Sequence, residues 1–175
     1  MEIKFDRTID NLLDFNLYHM AHSPGERRQW LGARVITTML TTLFAVILSM
    51  WGTTSLQPLY LVPAALAGLV VFLIFPAVAR WSASGRIRRI LKEGDNDSIF
   101  GPQTISFSAE GIFAKNRSGE SRFNWSAVKK FSENDRHFFL YTSSYQALVI
   151  PKRCFESGEE IQAFRELIDR FRQKV

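Results

Sequence analysis

Charge is missing from a long stretch of this chain. From Val35 to Ala79 there is no Asp, Glu, Lys, Arg or His, a run of 45 residues. Soluble domains are about 25% charged throughout, so this run excludes an ordinary water-facing surface over a quarter of the chain. Cysteine is nearly absent. With Cys154 alone, no internal disulfide can form, and the count suits a reducing compartment. The first sixteen residues hold no apolar core. A cleavable signal peptide is therefore not expected, and the first apolar helix should itself direct insertion. No glycine-rich phosphate loop or hydrolase elbow follows a strand pattern. The expectation is a protein that is not an enzyme, with no cofactor and no metal.

The charge that is present is unevenly placed. Within the net +5, residues 1–25 carry −2, 80–92 carry +5 and 99–175 carry +3. Arg80, Arg86, Arg88, Arg89 and Lys92 follow the apolar run without an intervening acid. A basic cluster abutting an apolar span suits anionic lipid headgroups better than nucleic acid, so no nucleic-acid partner is expected.

A hydrocarbon core about 30 Å thick needs roughly 20 apolar residues in a helix. The run holds two such spans, about Leu31–Trp51 and Leu59–Trp81, joined by an uncharged segment between Gly52 and Pro58. So short a joint predicts an antiparallel hairpin. Thr37, Thr38, Thr41, Thr42 and Ser49 can bond carbonyls one turn back. Ala64, Ala65, Ala67 and Gly68 allow close helix approach. Arg27, Arg28 and Arg34 precede the first span, the four arginines follow the second, and the joint has none. By the positive-inside rule both termini are expected in the cytoplasm. Trp30, Trp51, Trp81 and Tyr60 suit the interfaces.

Outside the spans, Ile3 and Phe5 alternate as in a strand. Thr8 can cap a helix from Ile9 to about His22 that presents Leu13, Leu17 and Met20, with Phe15 to the side, and Ser23-Pro24-Gly25 reads as a turn. Strand periodicity returns near Ile105–Ser108, Ile112–Lys115, Ser121–Trp125, Val128–Glu133, Phe138–Thr142 and Gln146–Ile150. A final helix over about Gly158–Gln173 has capping-box spacing at Ser157 and Glu160 and an apolar face of Ile161, Phe164, Leu167, Ile168 and Phe171. The expected fold is thus a membrane α-helical hairpin plus an α+β cytosolic domain, an antiparallel meander closed by a C-terminal helix in pleckstrin-homology-like outline. Four segments are expected: 1–29, an N-terminal strand and helix; 30–81, the hairpin; 82–98, a basic juxtamembrane segment; 99–175, the sheet domain.

Three stretches carry a family resemblance: Phe123-Asn124-Trp125-Ser126-Ala127-Val128-Lys129-Lys130, Phe138-Phe139-Leu140-Tyr141, and Val149-Ile150-Pro151-Lys152-Arg153-Cys154-Phe155. Together with Phe15-Asn16-Leu17-Tyr18-His19 they resemble the YcxB-like proteins of bacteria, over essentially the whole chain. The resemblance implies a bacterial inner-membrane protein with a cytosolic domain and implies no activity.

Among single residues, His19 and His22 have a spacing that can share a metal, but no third ligand is near in sequence. Cys154 beside Lys152 and Arg153 reads as a bystander thiol. His137 reads as part of a charged turn with Asp135 and Arg136, and Trp125 and Phe155 as core anchors. The residues selected for contact with lipid or a partner are Arg86, Arg88, Arg89, Lys152 and Arg153. The expected function is a membrane-tethered module binding a protein, peptide or lipid headgroup, with oligomerisation open. The alternative is a subunit of an oligomeric transporter or channel.

Overall fold

The computed structural model describes residues 1–51, 61–93 and 99–173. The expected joint between the two apolar helices lies outside these residues. In chain order the described elements are β1 (Glu2–Arg7), α1 (Ile9–His22), α2 (Pro24–Ser49) and α3 (Leu61–Glu93), then β2 (Gly101–Ser108), β3 (Gly111–Asn116) and β4 (Gly119–Phe123). A 3-10 turn at Trp125–Ala127 leads to β5 (Lys130–Glu133), β6 (His137–Tyr141) and β7 (Ala147–Pro151). A second 3-10 turn at Lys152–Cys154 precedes α4 (Gly158–Arg172). The chain forms two compact units, one of Met1–His19 with Ile87–Val175 and one of Met20–Arg86.

This grouping differs from the four consecutive segments read from the sequence. The N-terminal strand does not stand apart. It pairs antiparallel with β2, Ile3 opposite Ile105 and Phe5 opposite Gln103. The Met1 ammonium donates to the Phe107 carbonyl at 3.0 Å. Strand pairing across about a hundred residues of intervening chain leaves no sequence signal, because alternation marks a strand but not its partner. The single meander is also corrected. There are two sheets, of order β1-β2-β3-β4 and β5-β6-β7.

The expected strand Ser121–Trp125 stops at Phe123, and Trp125 opens a 3-10 turn. Its indole Nε1 donates to the Ser108 carbonyl at 2.8 Å and its ring stacks on Phe171. That turn carries the chain from one sheet to the other. At Gly111 a φ of 148° and the Phe123 carbonyl leave no room for a Cβ, so only glycine fits the β2–β3 turn.

The core between the sheets and α4 contains Ile3, Ile105, Phe107, Ile112, Trp125, Phe138, Leu140, Ile150, Phe155, Phe164 and Ile168. α4 starts as its spacing predicts. Ser157 Oγ accepts from the Glu160 amide at 3.2 Å, and Glu160 accepts from the Glu156 amide at 2.8 Å. β6 is buried along its whole length. Its Phe138 and Leu140 join the core. Phe139 and Tyr141 form a second cluster with Phe15 and Val149, so α1 covers the other face of this sheet. A strand buried on both faces loses alternation, which explains the unbroken Phe-Phe-Leu-Tyr run. α1 accordingly buries Asn11, Leu13 and Phe15, turning Phe15 inward rather than to the side.

In the second unit, the expected turn at Ser23-Pro24-Gly25 is a one-residue break. Ser23 is extended and Pro24 occupies the first turn of α2, where its missing N–H costs nothing. α2 and α3 are long and apolar enough to cross a membrane. The hydroxyls of Thr41, Thr42 and Ser49 donate to the carbonyls of Thr37, Thr38 and Val46. A Cβ at Gly68 would collide with the Thr42 hydroxyl, so the two helices approach closely at this glycine. Pro76 lies inside α3 and has no N–H to offer the carbonyl four residues earlier, that of Phe72. Arg34 takes its place: Nε donates to the Phe72 carbonyl at 2.9 Å, and the guanidinium lies 3.5 Å from the Phe72 ring centroid. The arginine read as a flanking charge thus repairs a helix break.

Candidate functional site

The first unit contains a cleft of about 580 Å³, within the range of small-molecule sites. One wall is α1, with Asp10, Asn11, Leu13, Asp14 and Leu17. The other is the β5–β6 turn, with Asp135 and Arg136, leading to His137. Pro151, Lys152, Arg153 and Arg88 complete it. Three of the five basic residues selected from the sequence, Arg88, Lys152 and Arg153, therefore meet here. Arg86 and Arg89 are exposed on α3 and do not line the cleft.

Most of the charges are already engaged. Arg88 pairs with Asp10 at 2.8 Å. Arg136 pairs with Asp14 Oδ1 at 2.8 Å, while His137 Nδ1 lies 3.2 Å from Asp14 Oδ2. That second contact has the separation of an ion pair without hydrogen-bond alignment, and both atoms lack a hydrogen-bond partner among the described residues. Lys152 Nζ reaches Glu133 at 2.7 Å, Arg165 reaches the same carboxylate at 3.0 Å, and Lys152 lies over the Phe138 ring. Burial would raise the Glu133 carboxyl, but hydrogen bonds from Arg165 and Lys152 outweigh it and hold it below the ordinary 4.5. Lys152 is thus committed inside the unit. Arg153 is exposed and donates to the Asp6 carbonyl at 3.5 Å.

His137 is the residue that sequence reasoning missed. It is the first residue of β6, 5% exposed, not part of a solvated turn. Burial lowers its pKa below 6.5; Asp14 opposes this, and Arg136 and Arg153 reinforce it. The signal available in sequence was its place just before an apolar strand. Asn11 is 1% exposed; its Oδ1 accepts from Thr8 Oγ1 at 2.7 Å, and its Nδ2 has no partner.

Outside the cleft, His19 packs against Phe15, Tyr141 and Tyr145. Among the described residues no group of three or more His, Cys, Asp or Glu side chains could hold a metal. Burial raises the Cys154 thiol above 9.0, and Arg153 only partly offsets it. Neighbouring cations thus do not activate this thiol.

Together these features define a class: an antiparallel α+β unit with a C-terminal helix, in a chain that also holds two helices apolar enough to span a membrane. Residues 107–168 match the YcxB-like protein family. Over 73 residues the chain is 33% identical to the uncharacterized protein YcxB of Bacillus subtilis (strain 168), covering 42% of this chain and 40% of that protein. The family match runs from the end of β2 into α4 and leaves the rest of the chain uncovered, and the chain spans 40% of the length of the Bacillus protein. No solved structure matches.

Proposed function

We propose that this is a bacterial inner-membrane protein in which α2 and the apolar part of α3 cross the bilayer, both termini are cytoplasmic, and the first unit is a pleckstrin-homology-like module that binds a lipid headgroup. The observation that carries this reading is the cleft: a small-molecule-sized hollow in which Arg88 meets Lys152 and Arg153 from more than sixty residues further along the chain. A four-stranded and a three-stranded sheet closed by a C-terminal helix support the pleckstrin-homology outline. Basic residues at both outer ends of the spans support the orientation, and the exposed Arg86 and Arg89 suit anionic headgroups. The transporter alternative rested on the hydroxyls of α2. Those of Thr41, Thr42 and Ser49 donate to carbonyls of their own helix, which does not favour a polar path.

The test is a pair of measurements. Thr54→Cys in a Cys154→Ser background is treated in intact cells with a membrane-impermeant maleimide; labelling from outside is expected, and labelling only after lysis refutes the topology. Purified full-length protein is then analysed by native mass spectrometry from lipid nanodiscs. Retained lipid that is lost on Arg88→Gln with Arg153→Gln is the expected result. Retention unaffected by those changes removes the cleft from the function.

A further inference from the structure

The charge lining the cleft is nearly balanced. Asp10, Asp14 and Asp135 face Arg88, Arg136, Lys152 and Arg153. A site for a bare phosphate would not hold three carboxylates, since each repels the anion over the same few ångströms as each cation attracts it. The internal pairs cancel further: Arg88 with Asp10, Arg136 with Asp14, and Lys152 with Glu133 outside the lining. Two exposed charges of opposite sign remain without an ionic partner among the described residues, Asp135 and Arg153. The same lining includes Asn11, a buried amide whose Nδ2 donor has no partner among the described residues. A buried donor without an acceptor is uncommon in a native fold, and here its residue is part of the cleft lining.

We propose, building on the headgroup-binding reading above, that the cleft takes a zwitterion in which a primary ammonium lies beside a phosphate, the chemistry of a phosphoethanolamine group. Asp135 receives the ammonium. Arg153 receives the phosphate. A doubly negative headgroup is disfavoured by the acids, and a choline headgroup by having no N–H to donate to Asp135. Such a group reaches the cleft either on a bilayer lipid or as a soluble phosphodiester.

The experiment uses the full chain in nanodiscs of phosphatidylglycerol alone, titrated calorimetrically with glycerophosphoethanolamine, glycerophosphate, ethanolamine and glycine. Glycerophosphoethanolamine is expected to bind at least tenfold more tightly than each of the others. Asp135→Asn and Arg153→Gln, both at exposed positions that leave the core intact, should each weaken it tenfold or more. Glycerophosphate binding equally well makes the cleft an anion site and overturns the proposal; glycine binding equally well does the same. Absence of binding by all four, in protein that still labels at position 54 from outside, overturns the proposal and leaves the anchored topology standing. Repeating the titration in discs containing phosphatidylethanolamine separates the sources. A tenfold loss of apparent affinity identifies the lipid as occupant, and an unchanged affinity identifies the soluble diester.

Discussion

Replacing Ile3 with alanine should destabilise a unit whose other strands begin nearly a hundred residues later. Ile3 is 4% exposed and packs in the core beneath the first sheet. Its neighbour Lys4 points outward, its side chain 74% exposed and paired with Glu2. A buried isoleucine cut to alanine loses its transfer free energy and leaves a cavity, about 2–4 kcal/mol together. Lys4→Ala removes a surface ion pair worth about 0–1 kcal/mol. Hydrogen exchange followed by mass spectrometry reads this locally. Amides of β2 and of α4, which share the core with Ile3, should exchange roughly 30- to 700-fold faster in Ile3→Ala, since each 1.4 kcal/mol is tenfold. In Lys4→Ala they should change less than about fivefold by the same conversion. Equal effects of the two changes would refute the placement of β1. So would an Ile3→Ala effect confined to residues 1–7 with β2 and α4 unchanged.

Three further outcomes are expected. Gly68→Ala should lower the melting temperature of the protein in detergent, because the new Cβ meets the Thr42 hydroxyl, and adding Thr42→Ala should recover most of the loss. Arg34→Leu should cost about 1–3 kcal/mol, the worth of a charged hydrogen bond. In a Pro76→Ala background the cost should shrink, since the new alanine supplies the N–H that the Phe72 carbonyl lacks; equal costs in the two backgrounds contradict the repair role. Stability should fall with pH below about 6.5 through His137. Its pKa is depressed in the folded state, so the unfolded chain binds the proton more readily; the contribution is complete above the ordinary value and is lost as the pH drops. His137→Gln should flatten that slope in urea titrations between pH 7 and 5, and an unchanged slope would assign it to other groups.

Much of this molecule was legible from local pattern. The 45 uncharged residues announced two long apolar helices, because length and greasiness are properties of a segment alone. α1 and α4 were readable from periodicity, α4 also from its cap, and the hydroxyls of Thr41, Thr42 and Ser49 in α2 bond carbonyls about one turn back, whereas that of Thr38 has no partner among the described residues. What escaped was partnership. Nothing near Ile3 names β2 as its neighbour. Nothing near Arg34 reveals that Pro76 has freed a carbonyl for it. His137 looked solvated beside two charges, yet α1 brings Asp14 to its imidazole. Periodicity fixes which face a side chain takes along its own element, while its partner depends on how distant elements pack. The same division holds for the cleft. Sequence could nominate Arg88, Lys152 and Arg153 as basic residues without a local role, but only the fold brought them beside Asp135 and Asn11 and made the site nearly neutral rather than cationic.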